Sequence, residues 1–219
     1  MQSPPARLHT VFEPQLQAAG PIPADTWVVV LIKDFGSAKQ RLSPALGPEQ
    51  RRALARENAS RALLAAQAAD HVLAVCGSKE AAAMASEASV EVLLEDRPEG
   101  QNRAAERGLE HARRRGAGSV LVLSSDLPLI EPSVVTDLLV RTRELRRPLA
   151  VAVPATGRGG TNAVLTSPPG CVGLHFGDDS LARFELDARS RGLGFHLFES
   201  ELLALDLDEP SDLAALAQR

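Results

Sequence analysis

The sequence predicts an α/β fold in which a largely parallel central sheet lies between two layers of helices. From Trp27 onward, short apolar runs alternate with longer Ala-, Leu- and Arg-rich stretches at helical spacing. The runs WVVVLI and SVLVLS are apolar without alternation, which is typical of strands covered on both faces. A chain of 219 residues, 44% of them hydrophobic, can bury the core of one such domain. We therefore expect one domain over residues 26–219, preceded by a Pro- and Gln-rich arm at residues 1–25.

The first half of the chain predicts a repeated order of strand, loop and helix. The strand WVVVLI ends at Lys33, and Pro48 then begins a helix because proline suits the first helical position. Gly116 ends a later helix, as glycine commonly does after the last helical turn. The predicted elements are strands at residues 72–76, 90–94 and 119–124 and helices at residues 79–86 and 102–115.

The second half continues the alternation to the end of the chain. A helix runs from Pro132 to about residue 143, and the strands LAVAVP and TNAVLT are joined by the Gly-rich turn GRGG. A helix beginning near Asp178 is followed by a strand FHLF and a strand ALDLD. Pro210 then begins the last predicted helix.

Composition excludes several classes of function. A formal net charge of −4 and an aromatic content of 3%, with no Tyr, argue against a broad nucleic-acid surface. No apolar run approaches the roughly 20 residues that cross a bilayer, and the first residues do not resemble a secretion signal, so we expect a cytoplasmic protein with no membrane partner. Cys76 and Cys171 are too few for a disulfide framework or a Cys-based zinc site, and we expect buried thiols.

A basic loop follows the first predicted strand. Lys33, Lys39 and Arg41 accompany Gly36 and Ser37 just before a helix, and ligands bind beyond the carboxyl ends of strands in open α/β sheets. Cations and backbone N–H groups that converge in this way suit a polyphosphate, although no Walker A motif is present. The alternative is a solvated basic loop.

Three carboxylates also follow predicted strands. Asp126 comes after SVLVLS, and Asp206 and Asp208 would project from one face of the strand ALDLD because residues two apart on a strand point the same way. Carboxylates this close favour a divalent cation between them, and three oxygen donors suit Mg²⁺. The alternatives are that Asp126 caps a turn and that Asp208 caps the helix that follows.

Small and hydroxyl-bearing residues form a further candidate anion site. Gly159, Gly160, Thr161 and Asn162 lie in one turn, and the later segment FGDDS brings Gly177 and Ser180 to a helix start, where free N–H groups can receive a phosphate or carboxylate. The alternative for the same residues is a hairpin turn and a helix cap.

Six segments occur in a fixed order along the chain: KDFGSAKQRL, EGQN, SDLP, GGTNAVL, FGDDSLAR and LDLDEPSDL. Taken together, they resemble the 2-phospho-L-lactate guanylyltransferase family, called CofC or FbiD, of coenzyme F-420 biosynthesis. The resemblance covers about residues 27–213 and implies a fold like that of the nucleotide-diphospho-sugar transferases and the molybdenum-cofactor nucleotidyltransferases. The arm has no counterpart in the family, and SSDLP replaces the more usual Gly before the Asp.

The resemblance also implies roles for particular residues. Lys39 and Arg41 would face the triphosphate of GTP with Lys33 nearby, Gly100 and Asn102 would lie by the nucleoside, and Asp126, Asp206 and Asp208 would hold Mg²⁺. The acceptor, a phosphorylated three-carbon acid such as 2-phospholactate or phosphoenolpyruvate, would meet Thr161 or Asn162, Gly177 and Ser180. A downstream deazaflavin phospholactyl transferase would take the product.

On this hypothesis the acceptor's phosphate attacks the α-phosphorus of GTP, with Lys39, Arg41 and Asp126 as the catalytic set. A phosphate monoester is largely ionised at neutral pH, so no general base is needed. Two alternatives stay open, namely another nucleotidyltransferase of the same fold, acting on a sugar phosphate or the molybdenum cofactor, and a non-catalytic nucleotide-binding protein.

Overall fold

An eight-stranded sheet forms the centre of the computed structural model, which describes residues 4–14, 25–157 and 159–217. The strands lie in the order β1-β8-β6-β7-β5-β2-β3-β4. All of them run in one direction except β1 and β7, which are antiparallel to their neighbours, so the largely parallel sheet is confirmed. Their bounds are β1 Arg7–Phe12, β2 Thr26–Ile32, β3 His71–Cys76, β4 Glu91–Leu94, β5 Ser119–Ser124, β6 Leu149–Pro154, β7 Thr161–Ser167 and β8 Gly194–Glu199.

The helices begin where local signals place them. Pro48 starts the first helix directly after Gly47, and the Ser78 hydroxyl accepts a hydrogen bond from Ala81 N at 3.3 Å to cap the second. None of the helices in the described ranges is both long and apolar enough to cross a membrane. Their bounds are α1 Pro48–Ala66, α2 Lys79–Glu87, α3 Gln101–Arg114, α4 Pro132–Thr142, α5 Ser180–Ser190, α6 Glu201–Ala204 and α7 Pro210–Ala217.

Alternation along β2 divides the apolar core between the two faces of the sheet. Val28, Val30 and Ile32 pack into a core with α1, α2 and α4, whereas Val29 and Leu31 pack into a second core with α3 and α5. Because successive strand residues point to opposite faces, an uninterrupted apolar strand requires helices on both sides. The predicted three-layer arrangement is therefore confirmed.

The prediction of a strand at ALDLD is wrong, although the burial of successive side chains does alternate along this segment. Residues 205–208 are extended, with Leu205 and Leu207 buried and Asp206 and Asp208 partly exposed, but they do not join the sheet. The segment passes the carboxyl end of β5, where Leu207 N donates to the Asp126 carbonyl at 3.2 Å. Alternating hydrophobicity along the sequence therefore indicates which side chains are buried. It does not show whether the backbone pairs with a neighbouring strand.

Part of the predicted arm belongs to the sheet. Residues 7–12 form β1, an edge strand antiparallel to β8 with Arg7 opposite Glu199. Residues 1–3 and 15–24 of that arm lie outside the described residues. The helix expected near Asp178 begins at Ser180, and the short helix α6 was not predicted.

Burial predicts that both thiols are unreactive in the native protein. Burial, helped by the charge of Glu95, raises the pKa of Cys76 to about 12, and burial raises the pKa of the partly buried Cys171 to about 11. At pH 8 the reactive thiolate is then about one part in 10⁴ at Cys76 and one in 10³ at Cys171. We expect mass spectrometry to find neither residue alkylated by iodoacetamide at pH 8 in native protein and both alkylated in guanidinium. Modification of native Cys76 at the rate of free cysteine would contradict this.

Candidate active site

A cavity of about 430 Å³ opens at the carboxyl ends of the parallel strands. The ends of β2, β5 and β6 meet here, and β7, which runs the other way, begins here. Ligands bind at this edge in open α/β sheets. Most of the residues predicted from the sequence line this one cavity, namely Lys33, Lys39, Arg41, Asp126, Thr161, Asn162, Gly177, Asp206 and Asp208.

Lys39 lies inside the site and is not part of a solvated loop. Its backbone adopts a left-handed conformation with φ of 60°, and its side chain is 1% exposed. Nζ lies 2.9 Å from Asp126 Oδ1 and donates to the Leu207 carbonyl at 2.6 Å. A non-glycine residue held at positive φ is a sign of a constrained, often functional position. The loop therefore places the buried Lys39 side chain at the cavity, where its Nζ contacts Asp126 and Leu207.

Asp126 lies between two lysines and is ionised. Burial by itself would raise the pKa of this carboxyl, but the charges of Lys39 and Lys33 and their hydrogen bonds outweigh burial and hold the pKa below its ordinary value. Lys33 Nζ is 3.6 Å from Oδ2 and is largely exposed. A carboxylate that stays charged in a partly buried site can bind a cation or order a lysine.

The other two carboxylates lie on the extended segment across the cavity. Asp208 accepts from Arg41 Nη1 at 2.9 Å, and Asp206 lines the same wall. Within residues 4–14, 25–157 and 159–217, no group of three or more His, Cys, Asp or Glu side chains is close enough together to hold one metal ion. Mg²⁺ commonly uses one or two carboxylates together with substrate phosphates, and the oxygen donors present suit it. A magnesium site on Asp126, Asp206 and Asp208 stays a prediction.

Hydroxyl and amide groups occupy the opposite side of the cavity. Thr161 is 7% exposed and Ser180 is fully buried, and in the described part of the chain neither hydroxyl has a hydrogen-bond partner. Thr161 lines the cavity, whereas Ser180, the first residue of α5, does not line it. The Asn162 amide donates to the carbonyls of Leu203 and Ala204 at 2.8 and 3.0 Å, which holds α6 against the site.

The EGQN loop reaches the site in part. Gly100, with φ of 96°, precedes α3 and lines a second, adjoining cavity. Asn102 lines neither cavity, and its amide is occupied by the backbone N–H and carbonyl of Phe176 at 2.8 and 3.0 Å. In this structure Asn102 fixes the segment that leads to Gly177.

Sequence reasoning missed several residues of the site, among them Gln101 and Glu95. Gln101 lines both cavities, and Glu95 lines the second. Glu95 follows β4 directly, so the rule that selected Asp126 after β5 applies to it as well. The sequence signal is weaker at this position because β4 is a short edge strand of four residues.

Comparisons with known proteins agree with this architecture. The model of a family described as guanylyl transferase, CofC-like, matches residues 26–218. The chain is 39% identical to a phosphoenolpyruvate guanylyltransferase of Conexibacter woesei, covering 88% of this chain and 87% of that protein. It is 31% identical to a 2-phospho-L-lactate guanylyltransferase of Methanothermobacter thermautotrophicus, covering 87% and 83%. A solved structure from Desulfovibrio desulfuricans, assigned as a nucleotide-diphospho-sugar transferase, shares the fold with a TM-score of 0.71, 17% identity and coverage of 87% and 85%.

Proposed function

The chain belongs to the CofC-like guanylyl transferase family, and we propose that it transfers GMP from GTP to a phosphorylated three-carbon acid. One observation carries the proposal: four carboxylates, three of them the predicted Asp126, Asp206 and Asp208, and three cations line a single cavity at the carboxyl ends of the strands. That arrangement suits two polyanions that react with each other.

The reaction requires positioning more than proton transfer. An oxygen of the acceptor's phosphate forms a bond to the α-phosphorus of GTP, and the bond from that phosphorus to the β-phosphate oxygen breaks. Pyrophosphate leaves with the electron pair, and a diphosphate joins the acid to guanosine. The attacking phosphate is largely ionised at neutral pH, so no residue has to remove a proton.

Charge repulsion is the main obstacle to this encounter. Two unit charges 4 Å apart repel by about 4 kcal/mol at an effective dielectric constant of 20, and several such pairs arise between GTP and the acid. Lys39 supplies a buried cation, and Lys33 and Arg41 supply exposed ones. Together they lower the cost of bringing the phosphates into line.

Magnesium belongs to the proposal because of the donor set. Asp126, Asp206 and Asp208 line the cavity in which the phosphates would lie, and one or two of these carboxylates would hold Mg²⁺ together with the phosphate oxygens. When bound, Mg²⁺ would neutralise charge on the triphosphate and the leaving pyrophosphate.

The acceptor is proposed to bind at the wall that contains Thr161. The relatives from Conexibacter woesei and Methanothermobacter thermautotrophicus are named for phosphoenolpyruvate and 2-phospho-L-lactate, which both carry a phosphate and a carboxylate. A buried hydroxyl without a partner in the described chain is ready to donate to such an anion. The product is an activated diphosphate, and a downstream deazaflavin phospholactyl transferase is proposed to consume it.

Thr161→Val is expected to weaken acceptor binding selectively. Loss of one hydrogen bond to an anion should raise the KM for the acid about 10-fold or more, with the KM for GTP unchanged. Steady-state kinetics with each substrate varied in turn measures both constants. Thr136→Val, on the exposed face of α4, is the matched control and should change neither. An unchanged KM for the acid in Thr161→Val would remove Thr161 from the acceptor site.

A screen of pyrophosphate release tests the proposed function. GTP and ATP are each incubated with phosphoenolpyruvate, 2-phospho-L-lactate or 3-phospho-D-glycerate and Mg²⁺, with the downstream transferase and its deazaflavin substrate present to remove unstable product. We expect acid-dependent pyrophosphate release with GTP. If no acid releases pyrophosphate above the rate without acid, the proposal is wrong.

A further inference from the structure

A second cavity adjoins the first beyond the end of β2. It has a volume of about 240 Å³, and its walls include Leu31, Ile32, Val75, Pro98 and Ala104. The two cavities adjoin each other and share the wall residues Lys33, Ser37, Gln101, Ser124 and Asp126. A molecule with a polyanionic part and a flat apolar part would therefore fit with one part in each cavity.

The character of the second cavity matches a nucleobase better than a small acid. The surface of its walls is mainly apolar, although charged side chains also line it. The three-carbon acid carries charge at both ends and suits the hydroxyls and cations of the first cavity. Its one deeply buried carboxylate, Glu95, would repel an anionic acid but can accept hydrogen bonds from a neutral ring.

Glu95 is held firmly at this wall. It follows β4, its backbone N–H donates to the Cys76 carbonyl at 2.9 Å, and its side chain is 6% exposed. Oε1 accepts from Arg107 Nη1 at 3.3 Å, and no hydrogen bond or ion pair to Oε2 is found in the described part of the chain. A carboxylate oxygen on the wall of a cavity can accept a hydrogen bond from a molecule bound there.

We propose that Glu95 is the residue that selects guanine, by accepting hydrogen bonds from the N1–H and the 2-amino group of the base. Guanine presents these two donors side by side, which matches the two oxygens of a carboxylate. Adenine presents an acceptor at N1 and has no amino group at C2, so its ring nitrogen would face the carboxylate lone pairs. This assignment rests on the proposed function and adds the means by which that site discriminates between nucleotides.

Burial strengthens this discrimination. Burial raises the pKa of Glu95, and the neighbouring Arg107 opposes that rise while Glu99 adds to it. The Arg107 guanidinium, 3.3 Å from Oε1, offsets part of the cost of burying the charge without cancelling the rise in pKa. Hydrogen bonds to a charged group in such a site discriminate more strongly than neutral ones.

Inosine triphosphate tests the assignment because it lacks only the 2-amino group of GTP. The wild-type protein should favour GTP over inosine triphosphate by about 10-fold or more in kcat/KM, and over ATP by more. In Glu95→Gln the amide can accept one hydrogen bond but turns its own N–H donors toward the base, so the preference for GTP over inosine triphosphate should fall to about 3-fold or less. Isothermal titration calorimetry of the three nucleotides, without acid, should show the same order in binding.

Glu99→Gln is the matched control. Glu99 pairs with the same Arg107 at 2.6 Å but is exposed and does not line the cavity, so its variant should keep the wild-type preference. If Glu95→Gln does not fold, Glu95→Asp keeps the charge, draws the carboxylate back by one methylene and should lose the preference in the same way.

The outcomes separate the two claims. A wild-type protein that releases no pyrophosphate with any acid overturns the proposed function, and the assignment of Glu95 falls with it. An active wild-type protein whose folded Glu95 variants keep the full preference for GTP overturns the assignment of Glu95 alone.

Discussion

Asp126→Asn is expected to lower acid-dependent pyrophosphate release by about 10³-fold or more. The asparagine removes the charge that Lys39 and Lys33 contact at 2.9 and 3.6 Å, and it replaces one proposed oxygen ligand of Mg²⁺ by a weaker neutral one. Both changes act at the phosphates, where negative charge shifts from the acceptor to the leaving pyrophosphate during the reaction. Initial rates over a range of Mg²⁺ concentrations measure the loss.

Asp137→Asn provides the matched control for that variant. Asp137 is paired with Arg141 at 2.7 Å on α4, outside both cavities, so its variant should keep the wild-type rate. A cooperative thermal unfolding transition measured for Asp126→Asn shows whether this variant is folded. A folded Asp126→Asn enzyme within about 10-fold of the wild-type rate would contradict the role of this carboxylate.

Lys39→Ala is expected to reduce both stability and activity. The substitution leaves the Asp126 carboxylate without its nearest cation and the Leu207 carbonyl without its donor. Removing one partner of a buried ion pair costs about 3 kcal/mol, which corresponds to a fall of roughly 10 °C in Tm for a chain of this size. Activity with GTP should fall as well, because the fixed cation beside the triphosphate is lost.

Lys33→Ala shows whether the expected loss of Tm in Lys39→Ala depends on the burial of Lys39 or only on its charge. Lys33 contacts the same carboxylate at 3.6 Å, but its side chain is 61% exposed. Exposed pairs contribute little, so Tm should change by no more than about 2 °C. Equal losses of Tm in Lys33→Ala and Lys39→Ala would show that the buried position of Lys39 does not determine its contribution.

Much of the fold could be predicted from local patterns. The strands ending at Ile32 and Ser124 are fully apolar runs between turn signals, and Pro48 and Pro132 mark helix starts, so these elements needed no tertiary information. The segment 205–208 could not be assigned correctly, because alternating burial looks the same whether or not a partner strand is present.

The sequence predicts which residues form the site, but it does not predict which of them contact one another. The ends of predicted strands identified Lys33, Asp126, Asp206 and Asp208, and the resemblance to a family added Gly100 and Asn102. Which cation is buried depends on contacts between positions 39, 126 and 207, and nothing local distinguishes Lys39 from Lys33. Asn102 shows the same limit, because its partner Phe176 lies 74 residues away.

The central claim is tested most directly by following the oxygen atoms of the acceptor. Wild-type protein, GTP and phosphoenolpyruvate labelled with ¹⁸O in its phosphate are mixed with Mg²⁺, and the products are analysed by mass spectrometry. We predict that all of the ¹⁸O from the phosphate of the acid is found in the compound that joins the acid to GMP. The pyrophosphate that is released should carry no label. Release of GDP and inorganic phosphate, with no compound joining the acid to GMP for this or the other two acids, would contradict the account.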